Sequence, residues 1–490
     1  MKIKSIIDLV DVIYKNVDFD MEINKIASDS RKIEKNDVFF AIKGENKNGN
    51  KYIYEAIKNG AVAVVTEDKE FEANIPIILV KNVRSILAKA WSKYYNHPTN
   101  NMKVIAITGT NGKSSTAELL YSILRASNKK CGLISTIRCL INGEEIKHDG
   151  GSEVSDKLSA MTTPDPEILY YLLNKMKENK VEYVIIEASS HALKQSKLDG
   201  VSIDIGVFTN LSHEHLDYHK SIDDYFNSKL KLFEKSNFCV INIDDKYGEK
   251  IYQKFKAKAA SVSCNKGNDF YITSTFKSAN GTKIVFNYLG GEVELESRLC
   301  GNFVVYNMLM ASSVAKIIGI SNEHIKEGIL NLKNIKGRLE KYKNKSIYID
   351  YAHTPYATQK VLESIREIEK NKKIVTLVGC GGDRDKQKRQ EIGKIVSKLS
   401  DVAIITSDNP RSEDPLLIIK DILRGVDKNK IHFIIPSRRE AIKCATKMYD
   451  ENTTIVLLGK GHENYEIDNK GKHFFDERLI LEEAFKIWKK

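Results

Sequence analysis

Residues 103–116, KVIAITGTNGKSST, constrain this chain more than any other stretch. A short apolar run, Val104 to Ile107, reads as a buried strand. It breaks at Gly109 and Gly112 and reopens as a helix through Ser114 and Ser115. Strand, glycine loop, lysine and hydroxyl are the parts of a phosphate cradle. The glycines let backbone N–H groups approach phosphate, Lys113 adds a positive charge, and Ser114 offers a hydroxyl to Mg²⁺. Ile107 stands where a standard P-loop has its first glycine, so the loop is a shorter form, GTNGKS. Taken alone, it competes with a plain glycine turn before a helix.

A length of 490 residues suggests roughly two to four domains. No apolar run is long enough to span a bilayer, and the N-terminal MKIKSIIDLVDVIYKN has charges inside its apolar stretch, unlike a signal peptide. The seven cysteines are scattered without metal-ligand spacing, so a reduced, cytoplasmic protein is expected. A net charge of +12 invites a nucleic-acid reading, but the lysines are interspersed with acidic residues and lack interleaved aromatics. A solvated lysine-rich surface with no nucleic-acid partner and no stable membrane insertion is the better account.

Three α/β blocks follow from the pattern. Residues 1–100 hold a strand VFFAI, a polar loop, an amphipathic helix and a strand AVAVVT. In 101–335, VEYVIIE reads as a central strand ending in Glu187, which an apolar core would not tolerate unpaired. A carboxylate at that edge, beside a phosphate loop, is placed for Mg²⁺. TNLSHEHLDYH brings His213, His215 and His219 within seven residues, which suggests zinc; with no cysteine nearby and a nucleotide site implied, Mg²⁺ and hydrogen bonding rank ahead. Lys229 and Lys231, on the helix that follows, read from periodicity as a solvated face. Strand-like runs from about 270 to 297 form a β-rich excursion. In 336–490, four strands each end in a polar cluster, YAHTP, CGGDRDKQKR, DNPRSEDP and KGHE, which points to one site at the carboxyl edge of a doubly wound sheet. GCGG lacks the spacing of a dinucleotide fingerprint.

GTNGKS, TTPDP, EASSHAL, TNLSHEHLDYH, YFNSKLKLF, GRLE, DYAHTP, GCGGDRDKQKR, DNPRSEDP and GKGHE, in that order, make the chain resemble the Mur ligases over nearly its whole length. It is most similar to the branch that adds the third residue of the peptidoglycan stem peptide. The resemblance implies three domains: a small N-terminal UDP-sugar-binding domain, a central P-loop-type ATPase and a C-terminal Rossmann-like amino-acid domain. The implied reaction phosphorylates the D-Glu side carboxylate of UDP-MurNAc-L-Ala-D-Glu with ATP and lets an incoming amine displace phosphate from the acyl phosphate, in a cytoplasmic, monomeric enzyme.

By motif, the resemblance places ATP on Gly109, Thr110, Asn111, Gly112, Lys113, Ser114 and Ser115, with Asn307 and Arg338. It makes Ser114, Glu187 and His215 ligands for two Mg²⁺ ions, with Lys229 as a CO₂-derived carbamate, which displaces the solvated-face reading of that lysine. Lys113, Glu187, His215 and Lys229 are the catalytic set. Ser28, Ser30, Thr162, Thr163, Ser189, Gln195 and Lys197 fall with the UDP-MurNAc-dipeptide. Arg384, Asp408, Asn409, Pro410, Arg411, Gly459 and Glu463 fall with meso-diaminopimelate, Arg411 suiting its distal carboxylate and Glu463 its distal ammonium. Two positions depart from the family pattern: Val304 replaces an asparagine near the nucleotide, and Lys197 replaces an arginine, losing its planar fork. The competing readings are a lysine-adding ligase, a paralogue with altered substrate, a folylpolyglutamate-type ligase and a nucleotide-binding scaffold.

Overall fold

A computed structural model describes residues 2–7, 13–15, 20–44, 47–146, 161–215 and 218–488. Part of the N-terminal apolar stretch, Glu45 and Asn46 of the first polar loop, the excursion at 147–160 before TTPDP, and Leu216 and Asp217 of the histidine motif lie outside these residues.

Three large sheets, of 5, 11 and 6 strands, organise the described residues, and a two-stranded ribbon, Tyr465–Asp468 with Gly471–Phe474, accompanies the third. In the central sheet the strand Lys103–Thr108 lies between Tyr183–Glu187 and Ile203–Phe208, parallel to both. Its side chains alternate between two cores, as the two-residue period of a strand requires. Val104 and Ala106 face one layer; Ile105 and Ile107 face the other. Burial on both faces is why these strands read as unbroken apolar runs. The helices Pro166–Glu178 and Ile222–Lys235 cover the first face, while Lys113–Ala126 and Asn302–Ile317 cover the second. The β-rich excursion, Phe270–Ser278, Gly281–Tyr288 and Gly291–Ser297, continues the same sheet as an antiparallel edge.

The N-terminal sheet packs one face into the central core through Val38 and Phe40, joined there by Trp91 of the helix Val83–Tyr94. In the last sheet the strands Ile347–Asp350, Thr453–Leu458, Lys373–Val378 and Val402–Ile405 lie side by side and parallel. Their register aligns Asp350 with Leu458, Leu458 with Val378 and Val378 with Ile405. The four polar clusters that follow therefore leave from one edge, as the strand-end pattern predicts. Among the described residues no helix is long and apolar enough to cross a membrane.

Candidate active site

The strand Lys103–Thr108 is a topological switch point, because the chain continues to one side of it through Cys131–Ile134 and to the other through Ile203–Phe208. A crevice opens at the carboxyl ends of such strands, and there the glycine loop sits. Its backbone is fixed from the neighbouring strand end. Thr110 N donates to the Asn210 carbonyl at 2.8 Å, and Asn111 N donates to Asn210 Oδ1 at 3.0 Å. Gly112, at φ +85°, caps the helix Lys113–Ala126. A Cβ there would lie 2.6 Å from Asn307 Oδ1, so the Asn307 side chain, on helix Asn302–Ile317, is packed against the loop at this glycine. Asn307 Nδ2 is buried and has no hydrogen-bond partner, a donor left over beside the cradle. Ser114 and Ser115 are buried in the helix's first turn. Val304 is buried in the apolar layer of the same helix.

Two lysines converge beneath the loop. Lys113 Nζ donates to the carbonyls of Gly109 (3.1 Å) and Thr110 (2.8 Å), and Lys229 Nζ donates to Gly109 O at 2.8 Å. The solvated-face reading of Lys229 does not survive: it is 1% exposed. Tyr225, Ser228, Lys229, Leu232 and Phe233 make one buried stripe at helical spacing, with Lys229 in it, whereas Lys231 is exposed. Burial, and then the Lys113 charge, hold the Lys229 amine well below its ordinary range.

Glu187 ends its strand level with Ile107. Its carboxylate accepts from Thr136 N and Thr136 Oγ1, each at 3.0 Å, which satisfies the need for a partner at that buried position. The three histidines do not converge. His213 is exposed, and His219 is buried against Ser190 Oγ at 2.9 Å. His215, at φ +56°, stands edge-on to His191 with ring centroids 5.0 Å apart. Among the described residues no group of three His, Cys, Asp or Glu side chains forms a ready-made metal site. The sequence reading missed Glu214, inside the histidine motif. Its Oε1 lies 4.0 Å from His215 Nε2 and 3.8 Å from His353 Nε2 of the last sheet. Its place between two singled-out histidines was the available signal.

Arg338 also crosses between sheets: Nη2 donates to Ser114 Oγ at 3.3 Å, and the guanidinium lies 5.0 Å above the Tyr351 ring. On the other side of the crevice, Thr163 Oγ1 donates to the Glu187 carbonyl at 2.7 Å and accepts from Ser189 N at 3.1 Å. Thr162 Oγ1 lies 3.0 Å from Thr136 Oγ1 and donates to it, the Thr136 proton being directed to Glu187. Ser28, Gln195 and Lys197 line a cleft between the first two sheets, with Lys25, Lys32 and Arg84. Lys197 pairs with Asp165 at 2.8 Å. Ser30 is not in that lining; it is buried and donates to Glu55 Oε2 at 3.0 Å.

The last sheet assembles the remaining group. Asn409 Nδ2 donates to Glu463 Oε2 at 2.8 Å. Arg411, at φ +54°, donates through Nη1 to the Gly382 carbonyl at 2.8 Å. Asp408 is buried and lies 3.3 Å from the Lys460 ammonium. Gly459, at φ +112°, leaves no room for a Cβ, which would lie 2.7 Å from Asp408 Oδ2. Pro410 is buried, while Arg384 is exposed at the mouth of its loop. Burial, and then Asp408, push the Glu463 carboxyl up.

Three family models match in chain order: "Mur ligase family, catalytic domain" over residues 22–95, "Mur ligase middle domain" over 107–315, and "Mur ligase, glutamate ligase domain" over 337–461. The chain is 38% identical over 493 residues to the UDP-N-acetylmuramoyl-L-alanyl-D-glutamate–2,6-diaminopimelate ligase of Clostridium tetani, covering 99% of each. It is 38% identical over 494 residues to that of Clostridioides difficile, again over 99% of each. A solved ligase of the same description superposes with a TM-score of 0.71 at 27% identity, over 100% of this chain and 99% of the other. Folylpolyglutamate synthase from Mycobacterium tuberculosis shares the fold, with a TM-score of 0.63 at 18% identity, over 76% of this chain and 92% of the other.

Proposed function

Since the chain belongs to the Mur ligase family, we propose that it is a MurE-type enzyme of peptidoglycan precursor synthesis. It uses ATP to join meso-diaminopimelate to the D-Glu side carboxylate of UDP-MurNAc-L-Ala-D-Glu. The observation that carries the amino-acid choice is the arrangement of Arg411 and Glu463 on loops from one edge of the last sheet, tied through Asn409. A guanidinium suits a distal carboxylate, which lysine lacks, and a carboxylate suits a distal ammonium.

The loop 109–115 holds the ATP phosphates on Lys113 and on the backbone N–H groups at the start of the helix, those of Thr110 and Asn111 being taken by Asn210. Arg338 brings a second charge to Ser114. Transfer of the γ-phosphoryl group to the D-Glu carboxylate gives an acyl phosphate. Such transfer depends on positioning and charge neutralisation. The amine of diaminopimelate then attacks the acyl carbon, and collapse of the tetrahedral adduct releases phosphate and leaves the amide.

Mg²⁺, when bound, neutralises charge on the transferring phosphoryl group. It takes only one or two protein carboxylates, with the rest of its shell from water and phosphate. The dispersed donors around the loop fit that demand: Ser114, Glu187, His215 and Lys229 as a carbamate would hold two ions. Burial favours the neutral amine of Lys229, whose lone pair could form the N–C bond to CO₂ with loss of one proton, leaving an anionic oxygen ligand. The cleft lined by Ser28, Lys25, Lys32, Arg84, Gln195 and Lys197 suits the diphosphate and peptide of the UDP substrate. We assign Ser30, Thr162, Thr163 and Ser189 to the same substrate, the Thr163 carbonyl being joined to the cleft by Lys197 Nζ at 3.4 Å.

We place the domain boundaries at 100/101 and 335/336, and read the enzyme as a monomer, since one chain supplies every group in this scheme. Seven free thiols suit the reducing cytoplasm.

The test is product formation by mass spectrometry, with UDP-MurNAc-L-Ala-D-Glu, ATP and Mg²⁺, and either meso-diaminopimelate or L-lysine. A tripeptide product with diaminopimelate alone is expected. Product with lysine instead would keep the ligase and remove the Arg411 argument. No product with either, from folded protein, would favour a paralogue with another substrate.

A further inference from the structure

Beneath the amino-acid loops lies a buried ammonium that the reaction scheme leaves without a task. Lys460 is 0% exposed. Its Nζ donates to Asn409 Oδ1 at 2.9 Å and to the Tyr465 carbonyl at 2.8 Å, and lies 3.3 Å from Asp408 Oδ1. Two hydrogen bonds and the Asp408 charge hold the ammonium in place beneath the loops. We propose that Lys460 is a positioning residue for the amino-acid substrate: it fixes the direction of the Asn409 amide and screens Glu463 from the Asp408 charge.

The amide direction follows from donor and acceptor bookkeeping. Asn409 Oδ1 receives both Lys460 Nζ and Ile467 N, the latter at 3.0 Å. Two donors on one side require the oxygen there, which turns Nδ2 toward Glu463 Oε2 at 2.8 Å. Tyr465 donates its hydroxyl to the other oxygen, Oε1, at 3.2 Å. The Glu463 carboxylate is thus aimed by two donors, and Lys460, together with Ile467 N, sets the direction of one of them.

The screening follows from the surrounding charges. Glu463 faces Asp408 from the neighbouring strand end, Tyr465, Tyr351 and Lys460; Asp408 faces Arg438 and His353 as well. Burial and Asp408 raise the Glu463 carboxyl, and Lys460 opposes them. With Lys460 neutral, Glu463 would keep its proton to higher pH and lose its attraction for an ammonium.

This inference rests on the reading of Glu463 as the partner of the substrate ammonium, and the experiment separates the two. Amide formation by the full-length enzyme is measured against pH for Lys460→Met, Lys460→Met/Asp408→Asn and Glu463→Gln, varying diaminopimelate, ATP and the UDP-dipeptide in turn. Lys460→Met should raise KM for diaminopimelate roughly tenfold, leave KM for ATP within about twofold, and move the acidic limb of the diaminopimelate profile to higher pH. The double variant, with no charge at position 408, should return that limb toward the wild-type position and retain a raised KM from the released Asn409. Should Lys460→Met fail to fold, the double variant carries the comparison, and an unchanged KM for diaminopimelate there overturns the proposal. Equal changes in kcat and in all three KM values overturn it too. An unchanged KM in Glu463→Gln would instead remove the underlying reading of Glu463.

Discussion

Lys113 and Lys229, from two different helices, donate to the same acceptor, the Gly109 carbonyl, at 3.1 and 2.8 Å. Two full ammonium charges on one carbonyl in a buried site would repel. Burial and the neighbouring Lys113 depress Lys229 well below the ordinary lysine range, which leaves a nucleophilic amine. With ¹³C-labelled bicarbonate, the wild-type protein should show a carbamate carbon resonance that Lys229→Ala lacks. Lys229→Ala should also abolish amide formation, with no rescue by excess bicarbonate. Full activity in that variant would remove the carbamate from the mechanism.

The glycine loop offers an independent test. Gly112→Ala must adopt φ near +85° and bring a Cβ to 2.6 Å from Asn307 Oδ1. The left-handed conformation alone costs about 1 kcal/mol, and the collision displaces the Asn307 side chain beside the cradle. KM for ATP should rise by about tenfold or more, with KM for diaminopimelate nearly unchanged. A variant with unaltered ATP saturation would mean that the loop does not hold the nucleotide.

What the sequence made legible here was whatever repeats at a fixed spacing or ends a strand. The buried strand before the glycine loop, the strand-end position of Glu187 and the shared edge of the four C-terminal clusters all follow from local pattern. Lys229 shows where pattern stops. Its spacing from Tyr225 and Phe233 places it on the buried stripe, but a lysine in an apolar stripe reads as solvated until its partner is known, and that partner, Gly109, lies 120 residues away. The partners of Lys460 and Glu214 were hidden for the same reason, as was the direct contact between Arg338 and Ser114, which the resemblance had placed only at one nucleotide site. Each acquires its role from an acceptor or charge brought alongside by the fold.

Arg411 tests the choice of amino acid. Its guanidinium is held at Gly382 and Asn409, while Arg384, on the loop after the neighbouring strand, is exposed. Arg411→Ala should raise KM for meso-diaminopimelate by more than about tenfold, the scale of a lost charge-assisted pair, and narrow the preference over L-lysine. KM for ATP should stay near the wild-type value. Because position 411 has φ +54°, Arg411→Asn, which tolerates that backbone better, separates loss of charge from strain. Equal shifts for ATP and diaminopimelate would make Arg411 a structural residue.

Acid stability follows from His219. Burial first, and then His191 and Lys194, push its imidazole from an ordinary 6.5 down to about 4, with Asp224 opposing them. In the unfolded chain it takes a proton near pH 6.5, in the folded chain only near pH 4. Between those values the unfolded state binds more protons, so this contribution to stability is intact above pH 6.5 and is lost as pH falls toward 4. The melting temperature should drop by a few degrees between pH 7 and pH 5. His219→Gln has no proton to gain and should reduce the slope of that part of the curve by its share. The remainder belongs to His215 and His462, which burial also pushes down, to about 4 and about 3. If the variant's melting curve tracked the wild type across this window, the proton uptake would belong to another group and His219 would already be charged in the folded state.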